Sequence, residues 1–198
     1  MYIQNCFREN LLCLDLESLS QSNDTVCVID TDFRLVAFNK AWVNFAITNN
    51  GSDVLQKYPL GCVILDACFH DAKEFYRKAY AEILADPDRF DQDYECSSDA
   101  VHRLFHQTAY PLRNNTGILI THHLVYERQY AGTPHELGAQ HVSKEGFIVQ
   151  CAHCRKVQDH SKPDTWDWVP SLVRNPLPNI SHSFCSACLD FYYPLPCQ

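Results

Sequence analysis

Four cysteines near the C-terminus have types and spacing that could do chemistry: Cys151-Ala-His-Cys154 and Cys185-Ser-Ala-Cys188. One Cys-x-x-Cys turn brings two sulfurs close enough to share a cation. Two such turns supply the four thiolates of a tetrahedral structural zinc site. A redox-active dithiol is the competing chemistry, and two reduced, unligated pairs are a third reading. A dithiol enzyme needs only one pair, set at a helix start with a lowered pKa, so the duplication favours zinc. His153 and His182 flank the pairs as alternative ligands or hydrogen-bond partners. Arg155 and Lys156 follow the first pair and could offset the net negative charge of four thiolates on a divalent cation.

The spacing between the pairs exceeds that of the commonest four-cysteine pattern. A folded segment must therefore lie between them, and Trp166 to Val173 followed by the loop Asn175 to Asn179 is the candidate. Trp166, Trp168, Leu172 and Phe184 offer a small apolar cluster. So little apolar surface predicts a module that needs a metal to fold.

Composition narrows the function classes. The chain has 198 residues, enough for one ordinary domain and a small appendage. Its formal charge is -8, and the tail sets Arg155, Lys156, Lys162 and Arg174 against Asp159, Asp164, Asp167 and Asp190. With no basic stripe to neutralise phosphates, nucleic acid is an unfavoured partner. Residues Met1 to Asn10 carry Arg8 and Glu9 and lack the apolar core of a secretory signal. No run approaches the roughly 20 apolar residues of a membrane span. A cytoplasmic protein without membrane partners is expected, and its 11 cysteines suit free thiols plus metal better than disulfides.

Ahead of the cysteines, periodicity predicts the elements. Residues 9–19 read as a helix with Leu12, Leu16 and Leu19 on one face, packed on the domain or forming a dimer contact. Thr25–Asp30 and Phe33–Phe38 read as an antiparallel hairpin. Asn39 can cap the next helix, with Trp42, Phe45 and Ala46 inward, and Asn49-Asn50-Gly51-Ser52 breaks it. The clearest helix begins at a capping box of Asp71 and Glu74. It turns Ala72, Phe75, Tyr76, Ala79, Tyr80 and Ile83 inward and stops at Asp86-Pro87. Three strands follow, at residues 90–96, 101–110 and 118–126. The organisation expected is an N-terminal helix (1–20), an α+β domain (21–127), a linker (128–146) and a cysteine-rich module (147–198). The fold class is α+β: a five-stranded antiparallel sheet with helices on one face.

That order of elements resembles a PAS domain of the kind found in bacterial signalling proteins. The resemblance covers about residues 20–127. It rests on the Asn-x-Ala-Trp-x-x-Phe-Ala run from Asn39 to Ala46 and on Gly-x-x-x-Leu-Asp-x-Cys from Gly61 to Cys68. Tyr94-Glu95-Cys96 and Thr108-Ala-Tyr-Pro-Leu112 add to it. The family often has His-Ser-Pro after that cysteine, where this chain has Ser97-Ser98-Asp99. The tail resembles a short cysteine segment appended to PAS and receiver proteins, here ending Ser181-His182-Ser183-Phe184-Cys185-Ser-Ala-Cys188.

The resemblance implies a non-catalytic sensor that binds a small ligand or a protein partner between sheet and helices. Tyr76, Tyr80, His106 and His122 are the candidate polar groups of such a pocket. The motif of flavin-adduct photosensors is missing, and only His70, just ahead of the long helix, offers itself to haem. Zinc is the expected cofactor; flavin and haem are not expected. No kinase, cyclase or receiver sequence is present, so action through a signalling partner or a homodimer is expected. A thiol-disulfide oxidoreductase and a transcription regulator are the alternatives. The charge argument predicts no binding to duplex DNA at physiological salt. A fluorescence titration showing tight binding that weakens steeply with added salt would overturn it.

Overall fold

The structure, a computed structural model, describes residues 1–192 apart from Asn50, Ser52, Phe69, Asp99, Ala131 and Gly132. The predicted helix break at Asn50 and Ser52, the motif departure at Asp99 and the linker glycine Gly132 therefore lie outside the described residues. Two compact units emerge: Met1–Tyr94 with Phe105–Val125, and Glu95–Leu104 with Tyr126 onward.

The first unit opens with strand β1 (Tyr2–Ile3), a 3-10 helix (Asn5–Leu11) and helix α1 (Leu16–Gln21). The single helix expected over 9–19 is thus split. Asp15 accepts a hydrogen bond from Ser18 N–H at 3.1 Å and caps a new helix, a local bond that competes with helix continuation. Phe7 and Leu11 are the residues buried, whereas Leu12 is 81% exposed.

Strands β2 (Thr25–Asp30) and β3 (Leu35–Phe38) form the predicted hairpin. Helices α2 (Lys40–Thr48), α3 (Val54–Lys57), the 3-10 turn Ile64–Ala67 and α4 (His70–Ala85) follow. Helix α4 starts at His70, so Asp71 lies inside it rather than at its cap. Strands β4 (Phe90–Glu95), β5 (Val101–Pro111) and β6 (Gly117–Gln129) complete a six-stranded sheet in the order β1-β3-β2-β6-β5-β4. β1 adds one strand to the five predicted. The α+β class is as predicted, with β2 antiparallel to both β3 and β6.

Two features fix this sheet. Asn39 is fully buried, and its Oδ1 accepts from Trp42 N–H (3.0 Å) and Val26 N–H (3.1 Å). Its Nδ2 donates to the carbonyls of Asp24 (2.9 Å) and Leu19 (3.1 Å). One side chain therefore caps α2 and ties it to β2 and the end of α1, with every donor and acceptor used. Gly117 pairs with Asp30, and a Cβ there would meet the Ile29 carbonyl oxygen at 2.3 Å. Only glycine allows β6 to start so close to β2.

Strand alternation, offset by a register shift in the β2–β3 pairing between Val28 and Ile29, gives the sheet two apolar faces. Cys27, Ile29, Leu35, Phe38, Ile118 and Ile120 pack with Tyr80 and Ile83 of α4. Val28, Val36 and Ala37 on the other face are covered by Phe7 and Leu11 of the N-terminal segment. Phe75, predicted inward, is 49% exposed because Tyr76, Ala79, Tyr80 and Ile83 already fill the buried stripe of α4.

The second unit follows with β7 (Ile148–Cys151), β8 (Val157–Gln158), β9 (Trp166–Asp167), α5 (Pro170–Arg174), β10 (Ile180–Ser183) and α6 (Ser186–Tyr192). Its sheet runs β10-β7-β8-β9, with β10 parallel to β7. Ile148, Val157, Val169 and Leu172 make the core, and Trp168 is buried. Phe184, expected in that cluster, is 38% exposed and stacks on His153 with ring centroids 5.1 Å apart.

Burial separates two aromatic residues of α4 by experiment. Tyr80→Ala should cost on the order of 3–5 kcal/mol in urea unfolding, and Phe75→Ala less than about 1 kcal/mol. Equal losses would contradict the packing described.

Candidate metal centre

The first knuckle is built by the end of β7. Cys151 N–H donates to the Lys156 carbonyl (2.8 Å) and Arg155 N–H to the Cys151 carbonyl (3.0 Å). Closing so tight a turn puts Arg155 in the left-handed region at φ 61°. The second knuckle is set by the pairing of β10 with β7, which places Ser183 opposite Cys151. Ala152 N–H then donates to the Ser183 carbonyl at 2.8 Å. Cys185 and Cys188 follow as α6 begins, and Leu189 N–H donates back to the Cys185 carbonyl at 2.9 Å.

The four sulfurs converge. Cys151, Cys154, Cys185 and Cys188 are all buried, and their Sγ atoms lie within 4.8 Å of one another. Among the described residues this is the one group of side chains placed to hold a metal ion. A tetrahedron with zinc–sulfur bonds of about 2.3 Å has edges of roughly 3.8 Å, and Cys154 and Cys185 are 3.6 Å apart. All four are free thiols. Peptide N–H groups meet the sulfurs, as at Cys185 N to Cys151 Sγ, 3.4 Å.

Their protonation is strongly uneven. A hydrogen bond from Cys154 holds the Cys151 thiol down to about 4. The same bond pushes Cys154 up, and burial pushes Cys188 up to about 12. Four sulfurs this close in a buried site cannot share four negative charges without a cation. A bound metal must displace protons, so its affinity falls as pH falls.

The flanking groups divide. Arg155 Nε lies 3.4 Å from Glu95 Oε1, and its Nη1 lies 3.4 Å from His182 Nε2. Lys156 contributes its peptide group, whose N–H bonds Cys154. The histidines stand outside the sulfur quartet.

The candidate pocket lies in the first unit. Gln107 Nε2 donates to the Tyr80 hydroxyl at 2.5 Å, and Tyr76 stands beside Tyr80 with centroids 5.7 Å apart. The Tyr94 hydroxyl and His122 Nδ1 are 2.9 Å apart. Phe105 stacks on Tyr94 and meets Phe45 of α2 edge-on. Burial pushes His122 down to about 4, so the ring is neutral at pH 7 and shares one hydrogen bond with the phenol. His106 is not part of this group. β5 turns Phe105 and Gln107 toward the helices and His106 the other way, where it meets Asp93 (2.7 Å) and Asp91 (3.2 Å). The partners Tyr94 and Gln107 were not predicted, although the two-residue period from Phe105 to Gln107 carries the signal. A cavity of about 420 Å³ opens where the end of α4 meets β4, lined by Glu82, Ile83, Arg89 and Phe90 among others, and none of the four candidates lines it.

No family model matches the chain, and no curated protein does. Solved structures similar to it include the phage VqmA–DPO complex, at 12% identity and a TM-score of 0.42, covering 61% of this chain and 54% of that one. A domain of a sensory box sensor histidine kinase/response regulator from Geobacter sulfurreducens is similar at 11% identity and a TM-score of 0.38, covering 60% of this chain and 95% of that one. The PAS domain of a Colwellia psychrerythraea protein has 11% identity and a TM-score of 0.38, covering 58% of this chain and 97% of that one. No helix among the described residues is long and apolar enough to cross a membrane.

His122 generates a pH dependence with a defined sign. Its folded pKa, about 4, lies below the unfolded value near 6.5. The folded state binds fewer protons there, so the stability it contributes is present above pH 6.5 and lost as pH falls through 4. The difference in urea stability between the native chain and His122→Phe should shrink by about 1–3 kcal/mol between pH 7 and pH 4. A difference that does not move with pH would show that the ring is solvated.

Proposed function

We propose that this chain is a non-catalytic sensory and relay protein whose C-terminal unit is held together by one zinc ion. The observation that carries the reading is the convergence of four buried thiols within 4.8 Å. A buried thiol quartet suits a closed structural site, in which every coordination position is filled by protein and none is left for substrate. A resting redox dithiol would be committed to the metal and unable to turn over. The small core of Ile148, Val157, Val169 and Leu172 gains from a metal staple. Zinc binding on the order of 10 kcal/mol supplies it.

The PAS-like unit supplies the sensing. Its interior is aromatic, with two polar pairs, Gln107–Tyr80 and Tyr94–His122, that could orient a small ligand or respond to a partner. Output passes to a signalling protein or a second copy of the chain. Reduced thiols and a zinc site fit a cytoplasmic setting.

Metal analysis of protein purified under reducing conditions should find one zinc per chain. Cys185→Ser should abolish that zinc and unfold the C-terminal unit, read as lost amide protection over residues 148–188, while β2, β3 and α4 stay protected. A metal-free native protein whose C-terminal unit remains folded in a chelator would sink the reading.

A further inference from the structure

Residues 95–104 pack with the cysteine-rich sequence in one compact unit. Their polar contacts converge on the first knuckle. His102, on β5, is 2% exposed, and its Nε2 stands 4.0 Å from Glu95 Oε1. The Tyr126 hydroxyl lies 3.0 Å from Nδ1 of that ring and 3.5 Å from Nε2. Glu95, at the end of β4, faces Arg155, the residue after Cys154, with Oε1 and Nε 3.4 Å apart. Both atoms are buried, and neither has a hydrogen-bond partner elsewhere among the described residues. Tyr130 stacks on Trp168, and its N–H donates to the Ala100 carbonyl at 3.1 Å.

These contacts meet the backbone where it is hardest to hold. Arg155 must stay left-handed for the turn to close, and a non-glycine residue there is strained. The buried imidazole of His102 stands beside Glu95 and limits where that carboxylate can go. A carboxylate opposite the guanidinium fixes the residue that ends the turn. A buried carboxylate without that guanidinium would be an uncompensated charge, so the pair holds its register.

Resting on the metal reading above, we infer that His102 and Glu95 are positioning residues of the first knuckle, shaping it for the ion from a hairpin more than 45 residues upstream. Glu95 acts through Arg155, and His102 acts through Glu95. Outer partners of this kind typically change metal affinity 10–100-fold when removed.

Cobalt(II) titration of the full chain against a competing chelator tests this, read by the ligand-field and sulfur charge-transfer bands of a four-thiolate site. His102→Leu and Glu95→Ala should each weaken cobalt binding at least tenfold and shift the ligand-field bands. Glu95→Gln, which keeps an acceptor opposite Arg155, should stay within about threefold of the native chain. Amide exchange at Cys154, Arg155 and Lys156 of the metal-free chain is the second readout. It should quicken tenfold or more in His102→Leu and Glu95→Ala and be restored in Glu95→Gln. Native cobalt bands and affinity in both disruptive variants, with exchange unchanged, would overturn the inference. A native chain without cobalt bands would instead defeat the metal reading, and the exchange rates of the metal-free chain would still decide the role of His102 and Glu95.

Discussion

Four sulfurs held within 4.8 Å in a buried site impose the governing constraint on the C-terminal unit. They cannot all ionise there unless a cation takes the charge. Without one, a proton is shared unevenly, with Cys151 the favoured thiolate and Cys154 and Cys188 held protonated. The surrounding backbone is arranged to tolerate this concentration of acceptors. Peptide N–H groups point at the sulfurs, a left-handed residue closes the first turn, and parallel pairing of β10 with β7 brings the second pair in. The hydrophobic contribution is small by comparison, because the core of the unit is four buried aliphatic side chains and their neighbours.

The first unit answers a different demand. Its sheet is apolar on both faces, so each face needs a cover. Helix α4 supplies one, and the N-terminal segment supplies the other with Phe7 and Leu11. Asn39 joins these layers at a single buried point, through four hydrogen bonds to four different residues. A residue that satisfies so many backbone groups stabilises chiefly because each would be costly to leave unpaired. The polar pairs of the interior work in the same way. Tyr80 and His122 are kept uncharged near neutral pH by burial, and each has a specific partner.

Local signals made much of this legible. The cap at Asn39, the β2–β3 hairpin and the stop of α4 before Asp86-Pro87 all depend on residues within a few positions of one another. The thiol quartet was legible because two short repeats of one ligand type are improbable except as a shared site. Errors arose where two local preferences competed. Leu12, Leu16 and Leu19 have helical spacing, but the capping bond at Asp15 breaks the helix and leaves Leu12 in solvent. Phe75 has the right period and too wide an angle, since the stripe beneath it was already filled. His106 was picked by its chemistry, and strand parity puts it on the opposite face from Gln107.

The sequence by itself determined the class of fold, the elements bounded by caps and turns, and which four cysteines belong together. Periodicity, capping and ligand spacing are short-range properties, written within about ten residues. Tertiary structure alone decided which groups stand opposite one another: Gln107 at Tyr80, Tyr94 at His122, Glu95 at Arg155. Each of these pairs joins residues at least 27 positions apart. Such a pairing depends on strand order, register and the face each side chain takes, and a one-residue shift in any strand would reverse that face.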